Sequence, residues 1–252
     1  MPELLSIPYS PWSEKARWAL DARHVPYTGV TYAPLVGELG LRRKLGRWSG
    51  RVSVPVLFDD DGRPVPDSLE IARWADLHGE GPALIPADLE ADVARFVALS
   101  EEGLDAGRRL SLHRMLGDDE ALGEMVPKGL RPVLGPLGKW VAATGIHRTL
   151  RKYGAHRVDA ATHEQTMVRV LGDLRAALAD PRASGDPRTL LGRFTFADIA
   201  MAQVLSFVQP PTFGLRIGKA SRRSFTDSVL RERFNDLVAW RDALYEAHRP
   251  KG

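Results

Sequence analysis

The first 78 residues alternate between short apolar runs and amphipathic stretches, and this alternation limits the possible fold more than any other feature. Short runs of strand-forming residues bounded by proline or turn residues predict strands. Stretches whose apolar residues recur on one face predict helices. The Asp61-Gly62 pair predicts a tight hairpin. The predicted order is β-α-β-α-β-β-α, over residues 4–7, 11–24, 27–32, 35–45, 54–58, 63–65 and 67–78.

A cluster of glycine and proline at residues 79–82, followed by Pro86, is the strongest candidate for a domain boundary. The sequence beyond it has helical periodicity throughout. The better patterns lie at residues 89–115, 162–179, 196–208 and 234–248. We therefore expect an α/β domain at residues 1–79 and an all-helical domain at residues 88–252.

One segment of the second domain has an unusual charge pattern. Residues 125–158 contain seven Lys or Arg and no acidic residue, with Pro and Gly interspersed. Charge runs of this kind are usually solvated, which predicts an exposed insertion or a dimer contact. A basic face for anionic lipid or an acidic partner is the alternative.

Composition excludes several classes of function. The net charge of +3 is too small to indicate a nucleic-acid partner. The chain has no cysteine, so it has no thiolate nucleophile or thiolate metal site of its own, and we expect no metal. No run reaches the roughly 18 apolar residues of a membrane helix, and the N-terminus has no secretory pattern. A cytoplasmic protein without a transmembrane segment is the expectation.

Ser10 and Pro11 open the first predicted helix. Serine is a favoured N-cap and proline a favoured first helical residue, so a purely structural role is one interpretation. The second interpretation uses the same geometry, because the free N–H groups and positive dipole of a helix N-terminus stabilise an anion. If that anion were a thiolate, the Ser10 hydroxyl could donate to its sulfur and lower the pKa of the thiol.

Val54-Pro55 and Asp67-Ser68 each allow a structural and a ligand-binding interpretation. The first pair either marks an edge strand or forms a cis turn that leaves the Val54 N–H and C=O free to pair with an extended peptide. The second pair either caps the next helix or binds both charges of one α-amino acid. In that case Asp67 would hold an ammonium, and Ser68 with the helix N-terminus would hold a carboxylate.

Taken in order, these motifs resemble the thioredoxin-like domain of cytosolic glutathione transferases. Residues 10–20 resemble the first helix of the serine- or cysteine-containing tau, lambda and omega classes, with the catalytic position at Ser10. The resemblance implies that Val54-Pro55 pairs with the cysteinyl unit of glutathione and that Asp67-Ser68 binds its γ-glutamyl end. Residues 194–200 resemble the capping box and hydrophobic staple of the family's helical domain, in which Thr195 and Asp198 cap each other and Phe194 packs on Ile199.

The resemblance also leaves positions open. The acidic residue of the acidic–serine pair is Asp67, whereas Glu or Gln is commoner at this position in the family. The basic residue for the glycine carboxylate of glutathione is Lys44, in competition with Arg43, Arg47 and Arg51. Tyr9 competes with Ser10 as the hydroxyl that faces sulfur, and the register to Arg17, a basic residue further along the helix, favours Ser10.

We therefore predict a glutathione transferase for detoxification, in which Ser10 stabilises the glutathione thiolate for attack on a hydrophobic electrophilic small molecule. The second substrate is expected between the domains, near Trp12, Leu112 and Met115, and Trp12 is also expected to contribute to the glutathione site. A conjugation, peroxidase or isomerase reaction is possible, with glutathione as co-substrate and a homodimer as the assembly. The alternative is a non-catalytic protein on the same fold that binds glutathione, another ligand or a partner.

Overall fold

The structure is a computed structural model that describes residues 1–33, 37–126, 137–138, 140–147 and 160–250. The basic segment at 125–158 lies largely outside these residues, and all seven of its Lys and Arg residues do so. In the described part of the chain, no helix is long and apolar enough to cross a membrane.

The N-terminal elements confirm the predicted order. They are β1 (Glu3–Ser6), α1 (Pro11–Ala22), β2 (Thr28–Thr31), α2 (Glu38–Leu45), β3 (Val56–Phe58), β4 (Pro64–Pro66) and α3 (Ser68–His78). The sheet order is β2-β1-β3-β4, in which β1 is parallel to β2 and the other two pairs are antiparallel. This four-stranded mixed sheet with its helices is the thioredoxin-like arrangement.

Alternation along the strands builds one small core on each face of the sheet. Leu4 and Leu57 lie opposite each other and pack with side chains of α1 and α3, including Leu20 and Ile71. The next pair in register, Leu5 and Val56, faces the other side. There it packs with Leu41 of α2 and with its buried neighbours Val52 and Phe58.

The regular elements of the remaining described chain are helices, apart from an isolated antiparallel bridge between Ser184 and Thr189. The helices are α4 (Glu90–Leu116), α5 (Asp119–Met125), α6 (Ala160–Ala179), α7 (Phe196–Val204), α8 (Lys219–Phe225), α9 (Ser228–Arg233) and α10 (Asn235–His248). Residues 140–147 are also helical. The helix predicted for 196–208 is shorter than expected, since its α-helical part ends at Val204 and continues as a 3-10 turn, Leu205–Phe207.

Two glycines allow α4 to lie close to α7 and the turn after it. A β-carbon at Gly103 would lie 2.7 Å from Val204 Cγ1, and one at Gly107 would lie 2.6 Å from Phe207 Cβ. Both distances are shorter than carbon–carbon contacts in packed interiors. Only glycine fits at these two positions. Its use there lowers the stability of the helix, because glycine loses more conformational freedom on folding than other residues.

The sheet domain contacts the linker through Arg23 and the helical domain through the buried Trp18. Arg23, at the end of α1, is buried and donates to the carbonyls of Gly79 and Pro82 at 3.2 and 2.8 Å. Trp18 of α1 is fully buried, its ring centroid lies 4.5 Å from that of Tyr245, and its indole N–H donates to the His248 carbonyl. The first helix is thus part of both cores.

Candidate functional site

Strand register brings the three N-terminal motifs to one edge of the sheet. Leu5 of β1 is opposite Val56 of β3, and Val56 is opposite Pro66 of β4. The chain therefore leaves β1 towards Ser10, enters β3 from Val54-Pro55 and leaves β4 into Asp67-Ser68, all at the same end of the strands. A hydrogen bond of 3.3 Å from the Asp67 N–H to the Pro55 carbonyl joins two of the motifs directly.

Ser10 is the N-cap of α1, as one of its two interpretations predicts. Its backbone is extended (φ −89°, ψ 125°), its carbonyl accepts the first helical bond from Glu14, and its Oγ accepts from the Ser13 N–H at 3.5 Å. That cap bond is at the long limit of hydrogen-bond distances. The side chain is partly exposed, and the cap uses only a lone pair of the oxygen, so the hydroxyl proton is not consumed by it.

Val54-Pro55 is a cis peptide and lies immediately before β3, which begins at Val56. The expectation that the pair lies inside the strand is wrong by two residues. The edge-strand interpretation is also wrong, because β3 lies between β1 and β4. Within the described residues, the backbone N–H and C=O of Val54 have no hydrogen-bond partner.

Asp67 has an unusual backbone conformation at the N-terminus of α3. Its φ of 71° and ψ of 149° lie in a region that non-glycine residues rarely adopt and that is concentrated at functional sites. The Oδ1 atom accepts from the Leu69 N–H at 2.9 Å, so the predicted cap is present. The side chain is exposed, and its Oδ2 atom has no hydrogen-bond partner in the described part of the chain.

Ser68 is the first residue of α3, and it is buried. Its hydroxyl makes no hydrogen bond to any described residue. A buried hydroxyl beside the free N–H groups of a helix N-terminus is a favourable neighbour for a carboxylate. The Asp67 carboxylate, predicted to bind the ammonium of an α-amino acid, is thus adjacent to the Ser68 hydroxyl and the α3 N-terminus, predicted to bind its carboxylate.

Trp12 lies between the two domains. Its indole N–H donates to Glu101 Oε2 on α4 at 2.7 Å, and the Arg108 guanidinium carbon lies 4.7 Å from its ring centroid. The fully buried Lys15 ammonium lies 2.5 Å from the other oxygen of Glu101. Trp12 therefore lies beside charged groups of α4, next to the place where the sequence predicted a largely apolar second substrate.

The position of Lys44 does not favour its predicted role. Its ammonium pairs with Glu3 and lies 5.1 Å from the ring centroid of Phe58. Glu3 and Phe58 are opposite each other at the far end of β1 and β3 from the three motifs. Lys44 as the ligand of the glycine carboxylate stays a prediction, but one that this location argues against.

The remaining predicted residues differ in accessibility. Burial raises the pKa of the Tyr9 phenol to about 12, so this hydroxyl stays protonated at neutral pH. Leu112 is partly buried at the edge of the helical core, whereas Met115 is 1% exposed and lies within that core. The expectation that Met115 contacts a substrate is therefore wrong, because its surface is already covered by protein.

The predicted capping box of the helical domain is present at the start of α7. Asp198 accepts from the Thr195 N–H at 2.8 Å, from the Thr195 hydroxyl at 3.0 Å and from the Leu190 N–H at 2.7 Å. The Phe194 ring stacks on His248 with centroids 4.2 Å apart. These contacts are structural and lie apart from the three motifs.

Glu101 and Glu14 are the site-forming residues that sequence reasoning missed. Glu101 is 86 residues from Lys15, and no short motif contains both. Glu14 is fully buried beside Arg17, four residues after Ser10. An acidic residue in the first turn of a helix has an ordinary explanation in the helix dipole, so its position alone gave no signal.

The fold and the edge geometry together define a class, a thioredoxin-like domain with a candidate peptide-binding edge, joined to a helical domain. Residues 9–78 match the family model described as "Glutathione S-transferase, N-terminal domain". A probable glutathione S-transferase from Nicotiana tabacum is 33% identical over 99 residues, which is 38% of this chain and 42% of that protein. Over residues 9–78 the chain is therefore similar to the N-terminal domain of glutathione S-transferases.

Solved structures show the same fold over the full length. A glutathione S-transferase from Ceriporiopsis subvermispora in complex with glutathione has a TM-score of 0.67 at 18% identity, covering 100% of this chain and 98% of that one. One from Methylobacterium radiotolerans in complex with glutathione sulfonate has a TM-score of 0.59 at 23% identity, covering 98% and 91%. At these identities the likeness establishes the fold alone.

Proposed function

We propose that this protein is a glutathione transferase that binds glutathione along the sheet edge formed by Ser10, Val54-Pro55 and Asp67-Ser68. The single observation that carries the proposal is the strand register, which brings a hydroxyl, an open backbone edge and a carboxylate–hydroxyl pair to one end of the sheet. A tripeptide with one thiol and charged ends requires these three kinds of group. Complexes of the two structural relatives with glutathione and its sulfonate support the same ligand.

Ser10 would act as a hydrogen-bond donor to the thiolate. Its oxygen accepts a weak bond from Ser13, and acceptance of that bond leaves the proton available for donation. A thiolate in this position would also lie near the N-terminus of α1, where the dipole favours negative charge. Both interactions are stronger with the thiolate than with the thiol, so they lower the pKa of the bound glutathione.

Val54 and Asp67 would hold the rest of the tripeptide. The Val54 N–H and C=O can pair with the cysteinyl backbone as a neighbouring strand would. The free Oδ2 of Asp67 can accept from the γ-glutamyl ammonium, while Ser68 and the α3 N-terminus bind its carboxylate. The electrophile would occupy the interdomain cleft beside Trp12, and a cytoplasmic homodimer with a detoxifying role completes the proposal.

The test is steady-state conjugation of glutathione with an aryl halide, comparing wild type, Ser10→Ala and Tyr9→Phe. A hydrogen bond to a charged group contributes about 1.5–3 kcal/mol, so Ser10→Ala should lower kcat/KM by between about tenfold and about a hundredfold at pH 7. The loss should diminish as the pH approaches about 8.5, where a free thiol ionises without help. Tyr9→Phe should stay within about twofold of wild type, since the Tyr9 phenol is not the proposed donor.

A non-catalytic binding protein is the second candidate, and the use of the Ser10 oxygen as an N-cap favours it. In that case calorimetry would detect glutathione binding while conjugation stayed absent, and Ser10→Ala would alter helix stability only. Equal kcat/KM values for wild type and Ser10→Ala across pH 6–8 would contradict the assigned role of Ser10.

A further inference from the structure

A buried network of ion pairs connects the end of the helical domain to the first helix of the sheet domain. Arg249, directly after α10, donates from Nε to Glu14 Oε1 at 2.7 Å and from Nη1 to Asp21 Oδ2 at 2.6 Å. Glu14 and Asp21 both belong to α1. Two carboxylates of the first helix are thus held by one guanidinium that is 228 to 235 positions away in the chain.

The same network continues to the backbone that precedes Ser10. Glu14 Oε2 accepts from Arg17 Nε at 2.8 Å. Arg17 in turn donates from Nη1 to the Ile7 carbonyl at 3.3 Å and from Nη2 to the Pro8 carbonyl at 3.2 Å. The Ile7 carbonyl also accepts from the Ser10 N–H at 3.2 Å. Arg17 therefore holds the two carbonyls of the turn that sets the position of Ser10.

The surroundings of Glu14 exclude water and fix its position. Its side chain is fully buried, and that of Arg249 is 8% exposed. Gly214 of the helical domain packs against it with a φ of +86°, and a β-carbon there would lie 2.5 Å from Glu14 Oε1. The next residues of that loop also reach the turn, since the Arg216 N–H donates to the Pro8 carbonyl at 3.1 Å.

Charge balance explains why Arg249 matters beyond its own contacts. The network contains two carboxylates, Glu14 and Asp21, and two guanidiniums, Arg17 and Arg249. Burial raises the pKa of Asp21 even though Arg249 opposes that rise. Without the Arg249 charge, Arg17 would be the only network cation left to compensate the fully buried Glu14 and the partly buried Asp21. Its guanidinium would be drawn towards them and away from the Ile7 and Pro8 carbonyls.

We propose that Arg249 is a positioning residue for the glutathione site, acting through Glu14 and Arg17 to fix the turn that carries Ser10. This inference rests on the proposed function for its catalytic consequence. Its structural consequence, a rigid turn at residues 7–10, does not depend on any activity. The helical domain would thereby set the geometry of a site that the sheet domain supplies.

The experiment compares wild type with Arg249→Gln, Arg249→Lys and the control Arg175→Gln. Arg175 also binds a carboxylate through two nitrogens, Asp236 on α10 at 2.7 and 2.5 Å, but it is exposed and its hydrogen bonds stay within the helical domain. Arg175→Gln therefore also removes an ion pair to α10, but it leaves the ion pairs of Arg249, Glu14 and Arg17 unchanged. Arg249→Lys retains the charge and is the safeguard if Arg249→Gln does not fold.

Two readouts separate positioning from general destabilisation. The first is amide hydrogen exchange of a peptide covering residues 7–14, measured without glutathione and well below the unfolding temperature of each variant. The second is kcat and KM for glutathione, determined separately. Misplacement of a reacting group by about 1 Å can cost about a hundredfold, so we expect kcat/KM to fall by between about tenfold and about a hundredfold in Arg249→Gln.

The expected result is faster exchange at residues 7–14 in Arg249→Gln, partial restoration in Arg249→Lys and wild-type behaviour in Arg175→Gln. Equal exchange and equal kinetics in folded Arg249→Gln and wild type would overturn the positioning role. So would an identical loss in Arg175→Gln, which would mean that general stability is responsible. Absence of glutathione binding in wild type would instead overturn the proposed function, and the exchange comparison would still decide the role of Arg249 in the turn.

Discussion

The Lys15 ammonium lies 2.5 Å from Oε1 of Glu101 and joins the first helix of the sheet domain to the long helix α4 of the helical domain. The Lys15 side chain is fully buried, whereas that of Glu101 is 45% exposed. The second oxygen of the same carboxylate accepts from the Trp12 indole. One side chain of α4 therefore accepts from two donors of α1 where the two domains meet.

Glu101→Ala should destabilise the protein, because it leaves the buried Lys15 ammonium without its carboxylate. We expect a loss of about 2 kcal/mol in the free energy of unfolding, reduced from the value for a fully buried pair by the exposure of Glu101. Urea denaturation measures it. Glu102→Ala is the control, since its ion pair with Arg169 is exposed on both sides, and its loss should stay below about 0.5 kcal/mol. Similar losses in both variants would contradict the assigned importance of Lys15.

Gly103→Ala should destabilise the helical domain even though alanine is the better helix former. Its β-carbon would overlap Val204 and Val170 side chains at 2.7 and 2.9 Å, and overpacking of a core costs about 1–3 kcal/mol. Gly172→Ala on α6 is the matched control, because no atom lies within 4 Å of its added carbon. That variant should gain about 0.5–1 kcal/mol. Thermal and urea unfolding of both variants check the prediction, and a stable Gly103→Ala protein would refute it.

Asp67→Asn should weaken glutathione binding without loss of stability. Asparagine is as good an N-cap as aspartate, so the bond to the Leu69 N–H can be kept while the charge is removed. Loss of the proposed charged partner of the γ-glutamyl ammonium should lower the affinity about tenfold, in line with about 1.5 kcal/mol for a charge-assisted hydrogen bond. Calorimetry with glutathione and urea unfolding measure the two effects. Unchanged affinity would show that Asp67 is a cap only.

Asp198 should make the stability of the protein depend on pH. Burial raises the pKa of its carboxyl to about 6 in the folded state, above the value of 3.8 for an unperturbed aspartate. Because the folded state disfavours the charged form, the contribution to stability is fully present below pH 3.8 and is lost as the pH rises through 6.

The comparison that isolates this effect is the free energy of unfolding of wild type minus that of Asp198→Asn. The difference should increase by about 2–3 kcal/mol in favour of wild type as the pH falls from 7 to 4.5, since asparagine does not titrate. Other titrating groups cancel in the subtraction. A difference that is constant with pH would mean that the three hydrogen bonds to Asp198 fully offset its burial.

The N-terminal fold was predictable because its determinants are local. Strand runs stop at Pro8 and at the Asp61-Gly62 turn, and helices begin at Ser10 and Asp67, where the residue types suit caps. The capping box of Thr195 and Asp198 was predictable for the same reason, since both partners lie within one turn of helix. The start of β3 was harder to predict from the sequence, because Pro55 could lie before the strand, at its first residue or within it.

The sequence by itself determined which hydroxyl, backbone edge and carboxylate are available near the site, since these are properties of residue type and of short spacing. Only the tertiary structure decided what surrounds them. It pairs Lys44 with Glu3 at the far end of the sheet, buries Met115 in the core and brings Glu101 and Arg249 to α1. The physical reason is that ion pairs across 86 or 235 residues depend on how the domains pack, and no local propensity records that packing.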